Sequence, residues 1–237
     1  MNEQVTVEAA VASQKDTGLS VRGLWQVFSS PTQFFQKLEA QPKILVPYVV
    51  LGIVLLAFFF LTADLVMKLQ MEALPERLQG QPLPAGVQAG MRISTIVGGT
   101  IGFLLEPLVA AGLALFWGNF VFAGKARYKQ ILSVALYGAV LYAVGMWLTL
   151  PMILAKGSMM ASYSLGVLAA NAGPTSLPFQ LLSRIGLFYI WEWVVLGIGL
   201  SVVFHTKVGR GIVIALLSSG LVSAIAILMS AIGSMFS

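Results

Sequence analysis

Long apolar runs alternate with short polar connections along most of the chain. A helix needs about 20 mostly apolar residues to cross the hydrocarbon layer of a bilayer. Five runs reach that length, at residues 44–66, 93–122, 131–153, 181–204 and 211–236. The second run is long enough to tilt, bend or extend beyond the bilayer. The pattern predicts an all-α integral membrane bundle of five transmembrane helices in residues 44–237.

The first 43 residues are more polar and predict helices of another kind. Apolar residues recur there with the spacing of one helix face, at Val21, Leu24, Trp25 and Phe28. A second helix begins near Pro31, a residue that suits a first helical turn, and its apolar side carries Phe34 and Phe35. We predict that residues 1–43 form short amphipathic helices on the cytoplasmic headgroups, where these aromatic side chains contact lipid or a partner. The alternative is that the helices dock on the ends of the transmembrane bundle.

Composition indicates a membrane protein. Of the 237 residues, 58% are hydrophobic and 10% charged, with a mean hydropathy of +0.89, whereas a soluble domain carries about 25% charged residues. The apolar runs use most of the length and leave no room for a separate catalytic domain. The chain has no cysteine, one histidine and no catalytic sequence motif. We therefore predict no enzyme activity, no metal site and no cofactor.

The distribution of lysine and arginine predicts the orientation of the chain. Nine of these cations fall on the side of the N-terminus and five on the other side, where the loops are longer. Because cytoplasmic loops carry the excess of positive charge, we predict that the N-terminus lies in the cytoplasm and the C-terminus outside. Lys125, Arg127 and Lys129 share one short connection and predict contact with lipid or a partner. The cations form no single patch, which argues against nucleic acid as a partner.

Two acidic residues lie inside apolar runs at similar depth, Glu106 in the second run and Glu192 in the fourth. An ionised carboxylate in hydrocarbon costs a few kcal/mol, so such residues face protein or water and have partners. Pro107 cannot donate a backbone hydrogen bond and predicts a bend, and a bend beside a carboxylate is typical of sites in transporters. The alternative is that both acids are protonated and tie helices together. The side chains considered for those hydrogen bonds are Tyr137, Tyr142 and Thr100.

Three further features have structural interpretations. Arg184 lies eight residues before Glu192, about 12 Å along a single helix, so we expect it to reach the outer headgroups instead. The alternative is that it pairs with Asp64 at the outer end of the first run. His205 is expected at the membrane interface. Gly98 and Gly102 form a G-x-x-x-G pattern that allows close approach of helices, and we interpret it as packing inside the bundle rather than between copies.

Three stretches carry aromatic, small and basic residues in a characteristic order. They are LWQVFSSPTQFFQKLEAQPKILVPYVV (24–50), FAGKARYKQILSVALYG (122–138) and YIWEWVVLGIGLSVVFHTKVGRGIVIAL (189–216). In this order and spacing the chain resembles the Yip (Ypt-interacting protein) domain family, especially its bacterial members, over residues 24–237. The five predicted spans and the cytoplasmic N-terminus agree with this resemblance, which implies a location in a bacterial inner membrane and supplies no catalytic residues. Eukaryotic members are linked to small GTPases and membrane traffic, and some bacterial members are encoded with ABC exporters and periplasmic adaptors.

Two functional hypotheses follow. The resemblance implies a non-enzymatic accessory subunit that binds a membrane complex, such as an ABC exporter with its periplasmic adaptor, or that organises the membrane. The amphipathic helices and the basic connection would make the contacts. The second hypothesis is a small transporter or lipid-handling protein with a mid-membrane site at Glu106 and Glu192. A cavity that joins both acids to one face favours the second hypothesis, and a dry hydrogen-bonded pair favours the first. The sequence predicts no oligomeric state.

Overall fold

The computed structural model describes residues 26–72, 83–173 and 176–235. Within these ranges the chain is helical and contains no β-strand, which confirms the predicted all-α class. The helices are α1 Pro31–Ala40, α2 Leu45–Glu72, α3 Ala85–Ile93, α4 Gly99–Phe116, α5 Tyr128–Lys156, α6 Leu177–Ser183, α7 Leu187–Val203 and α8 Val208–Met235. Two π-helical turns, Ser94–Gly98 and Trp117–Val121, join α3 to α4 and extend α4.

Four helical segments in the described ranges are long and apolar enough to cross a membrane. They are Leu45–Glu72, Ala85–Val121, Tyr128–Lys156 and Val208–Met229. The second has 37 residues and a length of about 55 Å, which exceeds the roughly 30 Å of a hydrocarbon layer. It must therefore tilt or extend beyond the bilayer, as predicted. Helix α7 is equally apolar but has only 17 residues.

The fourth apolar run does not form one continuous helix. The chain breaks after α6, and Gly186 has an extended backbone with φ −133° and ψ 157°. Two hydrogen bonds fix this break: the Leu187 N–H donates to the Tyr163 carbonyl at 3.1 Å, and the Leu165 N–H donates to the Ile185 carbonyl at 2.9 Å. The predicted start of this span at residue 181 was wrong for that reason. Arg184 consequently lies outside α7.

Helix α5 is the centre of the bundle. In its most apolar window 61% of the residues are buried, against 28% or less in the other three long segments. The largest fully buried side chains come from four different helices and from α1, and they include Phe35, Phe58, Leu136, Val195 and Ile214. The bundle is therefore built around α5, with the other helices packed on its sides.

Helix α1 docks on the end of this bundle. Phe34 and Phe35 are 5% and 0% exposed, and the Phe34 ring centroid lies 4.8 Å from that of Tyr137. The Phe35 ring packs beside Gly199, which has no side chain to obstruct it. The prediction that Phe34 and Phe35 face the headgroups was therefore wrong, and the docking alternative was correct, because the rings bury more completely against protein.

Phe28 and Trp25 are the other two aromatic residues of this segment that were predicted to contact lipid or a partner. Phe28 is 36% exposed and lies just before α1. Trp25, with Val21 and Leu24, falls outside the described residues. We call the end of the bundle that carries α1 the N-terminal end, and the opposite end, which carries residues 157–173 and 176–186, the loop end.

Helices α7 and α8 pack closely at the N-terminal end through glycine. A Cβ atom at Gly211 would overlap the Gly197 carbonyl oxygen and lie 2.8 Å from the Ser201 nitrogen. Small residues allow such backbone approach between helices that have no hydrophobic force to bring them together in lipid. At Gly220, further along α8, a Cβ atom would meet nothing within 4 Å.

We expect Gly211→Ala to destabilise the bundle by about 1–3 kcal/mol, because backbone atoms cannot move aside as a flexible side chain can. Gly220→Ala is the matched control and should be neutral or slightly stabilising, since alanine favours helix. Thermal unfolding of both variants in detergent measures the difference. Equal melting temperatures for the two variants would show that the close α7–α8 contact does not exist.

Candidate functional site

Glu106 and Glu192 line one cavity near the middle of the bundle. This central cavity has a volume of about 30 Å³, which is room for one or two water molecules at about 10–15 Å³ each. The four long helical segments and α7 all contribute to its wall, α2 through Leu51, α5 through Tyr142 and α8 through Ser219. The two carboxyl groups are close enough to interact electrostatically. The remaining lining residues are Leu55, Phe103, Pro107, Ala110, Ala135, Ala139 and Leu196.

Neither carboxyl group has a hydrogen-bond or ion-pair partner among the residues that the structure describes. The side chains considered for that role are engaged elsewhere. The Thr100 hydroxyl donates to the Ile96 carbonyl of its own helix at 2.6 Å, and the Tyr142 hydroxyl donates to Tyr189 at 2.8 Å. The Tyr137 ring packs on α1. The hydrogen bonds that would tie helices together through the two acids are thus not formed here.

Arg184 enters the bundle instead of reaching the headgroups. Its Nη1 donates to the Tyr189 hydroxyl at 2.9 Å, and its guanidinium carbon lies 5.2 Å from the centroid of the Tyr189 ring. Arg184 also interacts electrostatically with Glu106 and Glu192. The expectation of a headgroup position was wrong, because the chain breaks at Gly186, which separates Arg184 from α7, and the Arg184 side chain contacts Tyr189. Its possible partner Asp64 instead pairs with Arg92 at 3.4 Å.

Tyr189 connects the charged groups. Its hydroxyl oxygen accepts hydrogen bonds from both Arg184 and Tyr142. A phenol has one proton and two acceptor sites, so these bonds leave the Tyr189 proton free to donate to another group. When all three charged residues are ionised, the site carries one positive and two negative charges. A further proton or cationic group would balance that excess.

Two larger spaces share lining residues with the central cavity, one through Tyr142 and the other through Phe103 and Glu106. A loop-end cavity of about 80 Å³ is lined by Tyr142 and Tyr189 and by several hydroxyl groups, those of Thr149, Ser162, Tyr163, Ser164 and Ser183. In the described ranges the buried Ser183 hydroxyl has no hydrogen-bond partner. A lateral groove of about 460 Å³ is lined by Glu106, Arg184 and Tyr189 together with residues of α4 and α8. The polar cluster is therefore reached from two directions.

The basic connection is exposed. Lys125, Arg127 and Lys129 all project from the surface. The Asn119 side chain fixes the turn between them, since its Nδ2 donates to the Ala126 carbonyl at 3.0 Å and its Oδ1 accepts from the Ala126 N–H at 3.1 Å. Contact of these cations with lipid headgroups or another protein stays a prediction.

His205 lies at the same end of the bundle. Its side chain is 79% exposed, and its Nε2 lies 3.0 Å from Glu39 Oε1 of α1. This position agrees with the expected interface location and links α1 to the α7–α8 connection.

Comparison with protein families identifies the chain. The model of the Yip1 domain family matches residues 25–231, which include all four long helical segments and α7. The chain belongs to the Yip1 domain family. The resemblance in the sequence is thereby confirmed. No curated protein and no solved structure matches the chain.

The sequence alone missed two residues of the cluster in this Yip1 domain protein, Arg184 and Tyr189. Tyr189 could have been found, because it precedes Glu192 by three residues and shares its face of α7. The signal for Arg184 is weaker. Gly186 two residues later marks a point where a helix can break, but nothing in the apolar pattern shows that it does.

Proposed function

We propose that the chain is a small membrane transporter in which Glu106 and Glu192 bind and release a proton. One observation carries this proposal: the two carboxyl groups line a common cavity, and neither has a hydrogen-bond or ion-pair partner within the described ranges. The Yip1 domain family is a family of membrane proteins, which agrees with a non-enzymatic role.

The free-energy cost of an unpaired carboxylate in low dielectric favours binding of a proton or a cation at this site. An unpaired carboxylate in low dielectric costs several kcal/mol, and the group avoids that cost by taking up a proton or a cationic partner. Arg184 offsets one of the two negative charges. The second carboxyl then holds the proton, and the central cavity leaves room for only one or two water molecules beside it.

The positions of the cavities favour access of a proton to the two acids from the loop end of the bundle. The hydroxyl groups of the loop-end cavity can hydrate a proton on its way, and the Tyr142–Tyr189 hydrogen bond lies between that cavity and the acids. At the N-terminal end the path is filled by buried side chains, among them Phe34, Ile131 and Leu136. Opening on that side requires movement of α1 or α5.

We further propose five crossings with the N-terminus in the cytoplasm of a bacterium. A fifth crossing by α7, about 25 Å long, is at the lower limit for a span. Several contacts support this topology. Glu39 of α1 meets His205, and its carbonyl accepts from Gln130 Nε2 at 3.3 Å, so the N-terminal segment and two connections share one end. That end also carries the exposed basic residues, which favours the cytoplasmic side.

We expect Glu106→Gln and Glu192→Gln each to reduce proton flux by about tenfold or more, because a glutamine amide cannot take up and release a proton as a carboxyl group does. A hydrogen bond to a charged group changes a binding constant by about tenfold or more, which sets the size of the expected effect. The measurement is the response of an internal pH indicator in vesicles that contain the purified protein under an imposed pH gradient. Asp64→Asn is the matched control, since Asp64 is 66% exposed in the second half of α2 and lies outside all three spaces.

Wild-type protein without flux above that of empty vesicles would contradict the proposal. Failure of both glutamine variants to purify as folded protein would also contradict it, because the acids would then be structural.

The accessory role is a second candidate, favoured by the exposed cations of the basic connection. Lys125, Arg127 and Lys129 have no acidic partner in the described part of the chain and present a cationic surface. An ABC exporter, with its periplasmic adaptor, remains the proposed complex.

If this role is correct, a partner should copurify in mild detergent at a stoichiometric level, and replacing all three cations by glutamine should release it. The same preparation from Asp64→Asn membranes serves as the control. Recovery of the chain alone from native membranes would contradict an accessory role.

A further inference from the structure

The lateral groove is a gap between α4 and α8 that no other helix of the described chain fills. Its walls are small or apolar residues, namely Gly98, Gly99, Gly102, Phe103, Leu105 and Val109 on one side and Val222, Ser223 and Ala226 on the other. A Cβ atom at Gly98 or Gly102 would meet nothing within 4 Å, whereas one at Gly99 would lie 2.7 Å from the Phe59 ring. The expected close helix contact at Gly98 and Gly102 is therefore not formed with any residue that the structure describes. These two glycines widen the groove instead.

The groove is open to the side of the bundle. Leu105 and Val109 are each 50% exposed, and their helix is one of those that can cross the membrane. A space of about 460 Å³ in this position is within the range of about 300–1,000 Å³ that is common for ligand sites. It can hold a phospholipid headgroup and the first part of its acyl chains, with the rest of the chains in the surrounding bilayer.

The wall of the groove carries opposite charges. Glu106 has no hydrogen-bond or ion-pair partner in the described ranges, and Arg184 uses one of its five donors on Tyr189. A purely apolar occupant, such as an acyl chain alone or the glycine face of a second copy, would leave these groups unsatisfied. An occupant with an anionic and a cationic group satisfies both.

We propose that the groove binds a phospholipid with an ethanolamine headgroup. Arg184 holds the phosphate, since a guanidinium matches phosphate geometry. Glu106 accepts from the primary ammonium group. The inference rests on the proposed function in one respect. The Glu106 carboxylate holds either the transported proton or the lipid ammonium group, so binding of the lipid releases the proton. The ethanolamine lipid is thus the ligand that exchanges with that proton.

The choice of headgroup follows from hydrogen-bond chemistry. A choline headgroup has the same net charge but a quaternary nitrogen without N–H, so it cannot donate to Glu106. A glycerol headgroup has the phosphate but no cation. Phosphatidylethanolamine should therefore bind about tenfold more tightly than phosphatidylcholine or phosphatidylglycerol, the difference expected for one charged hydrogen bond.

The test measures binding of these three phospholipids to the purified full-length protein in detergent by native mass spectrometry. In Glu106→Gln the preference for ethanolamine over choline should disappear. In Gly102→Leu the added Cβ meets no atom within 4 Å and the side chain takes up part of the groove, so binding of all three lipids should weaken. Gly112→Leu is the matched control on α4, since it also has open space at its Cβ and lies outside the groove.

Equal affinity for the three lipids in wild-type protein would overturn the proposal. So would a dimer that excludes lipid and that dissociates in Gly102→Leu, because the occupant would then be a second copy of the chain. Failure of this inference is distinguishable from failure of the proposed function. A preference for ethanolamine lipid without proton flux would contradict only the proposed transport function. Proton flux without a lipid preference would contradict only the proposed ethanolamine ligand.

Discussion

Two buried carboxyl groups can persist in a membrane bundle only if their charge is compensated, and the rest of this structure depends on that constraint. Arg184 supplies the compensation. It does so because backbone hydrogen bonds between residues 163–165 and 185–187 interrupt the fourth apolar run just before α7. The guanidinium then meets Tyr189, which in turn accepts from Tyr142 of the central helix. A local break in a helix thus sets the electrostatics of a site in the middle of the bundle.

The two ends of the bundle differ in packing. At the N-terminal end glycine contacts bring α7 and α8 together, and the aromatic residues of α1 complete the core. At the loop end and on the side between α4 and α8 there are open spaces that meet at the polar cluster. Close packing resists movement, whereas cavities leave side chains without contacts on one side. The arrangement favours a rigid N-terminal end and a polar site that exchanges ligands through the other half.

The apolar runs predicted the helical class, the long second span and the central depth of Glu106 and Glu192, because length and hydropathy determine these features directly. The same pattern could not determine which way a side chain turns. Phe34 and Phe35 suit a headgroup layer as well as a protein surface, and only the position of Tyr137 and Gly199 decides between them. Arg184 was misplaced because an unbroken apolar run conceals a break that is fixed by hydrogen bonds to a distant loop.

The central claim is that Arg184 and Glu106 stabilise each other inside the bundle. A double-mutant cycle of Arg184→Gln, Glu106→Gln and the combined variant, read as the free energy of unfolding in mixed micelles, tests it most directly. The account predicts that the double variant is less destabilised than the sum of the single variants by about 0.5–3 kcal/mol, the usual range for residues of one charged network. Single effects that add to within about 0.5 kcal/mol would contradict it, because independent sites behave in that way.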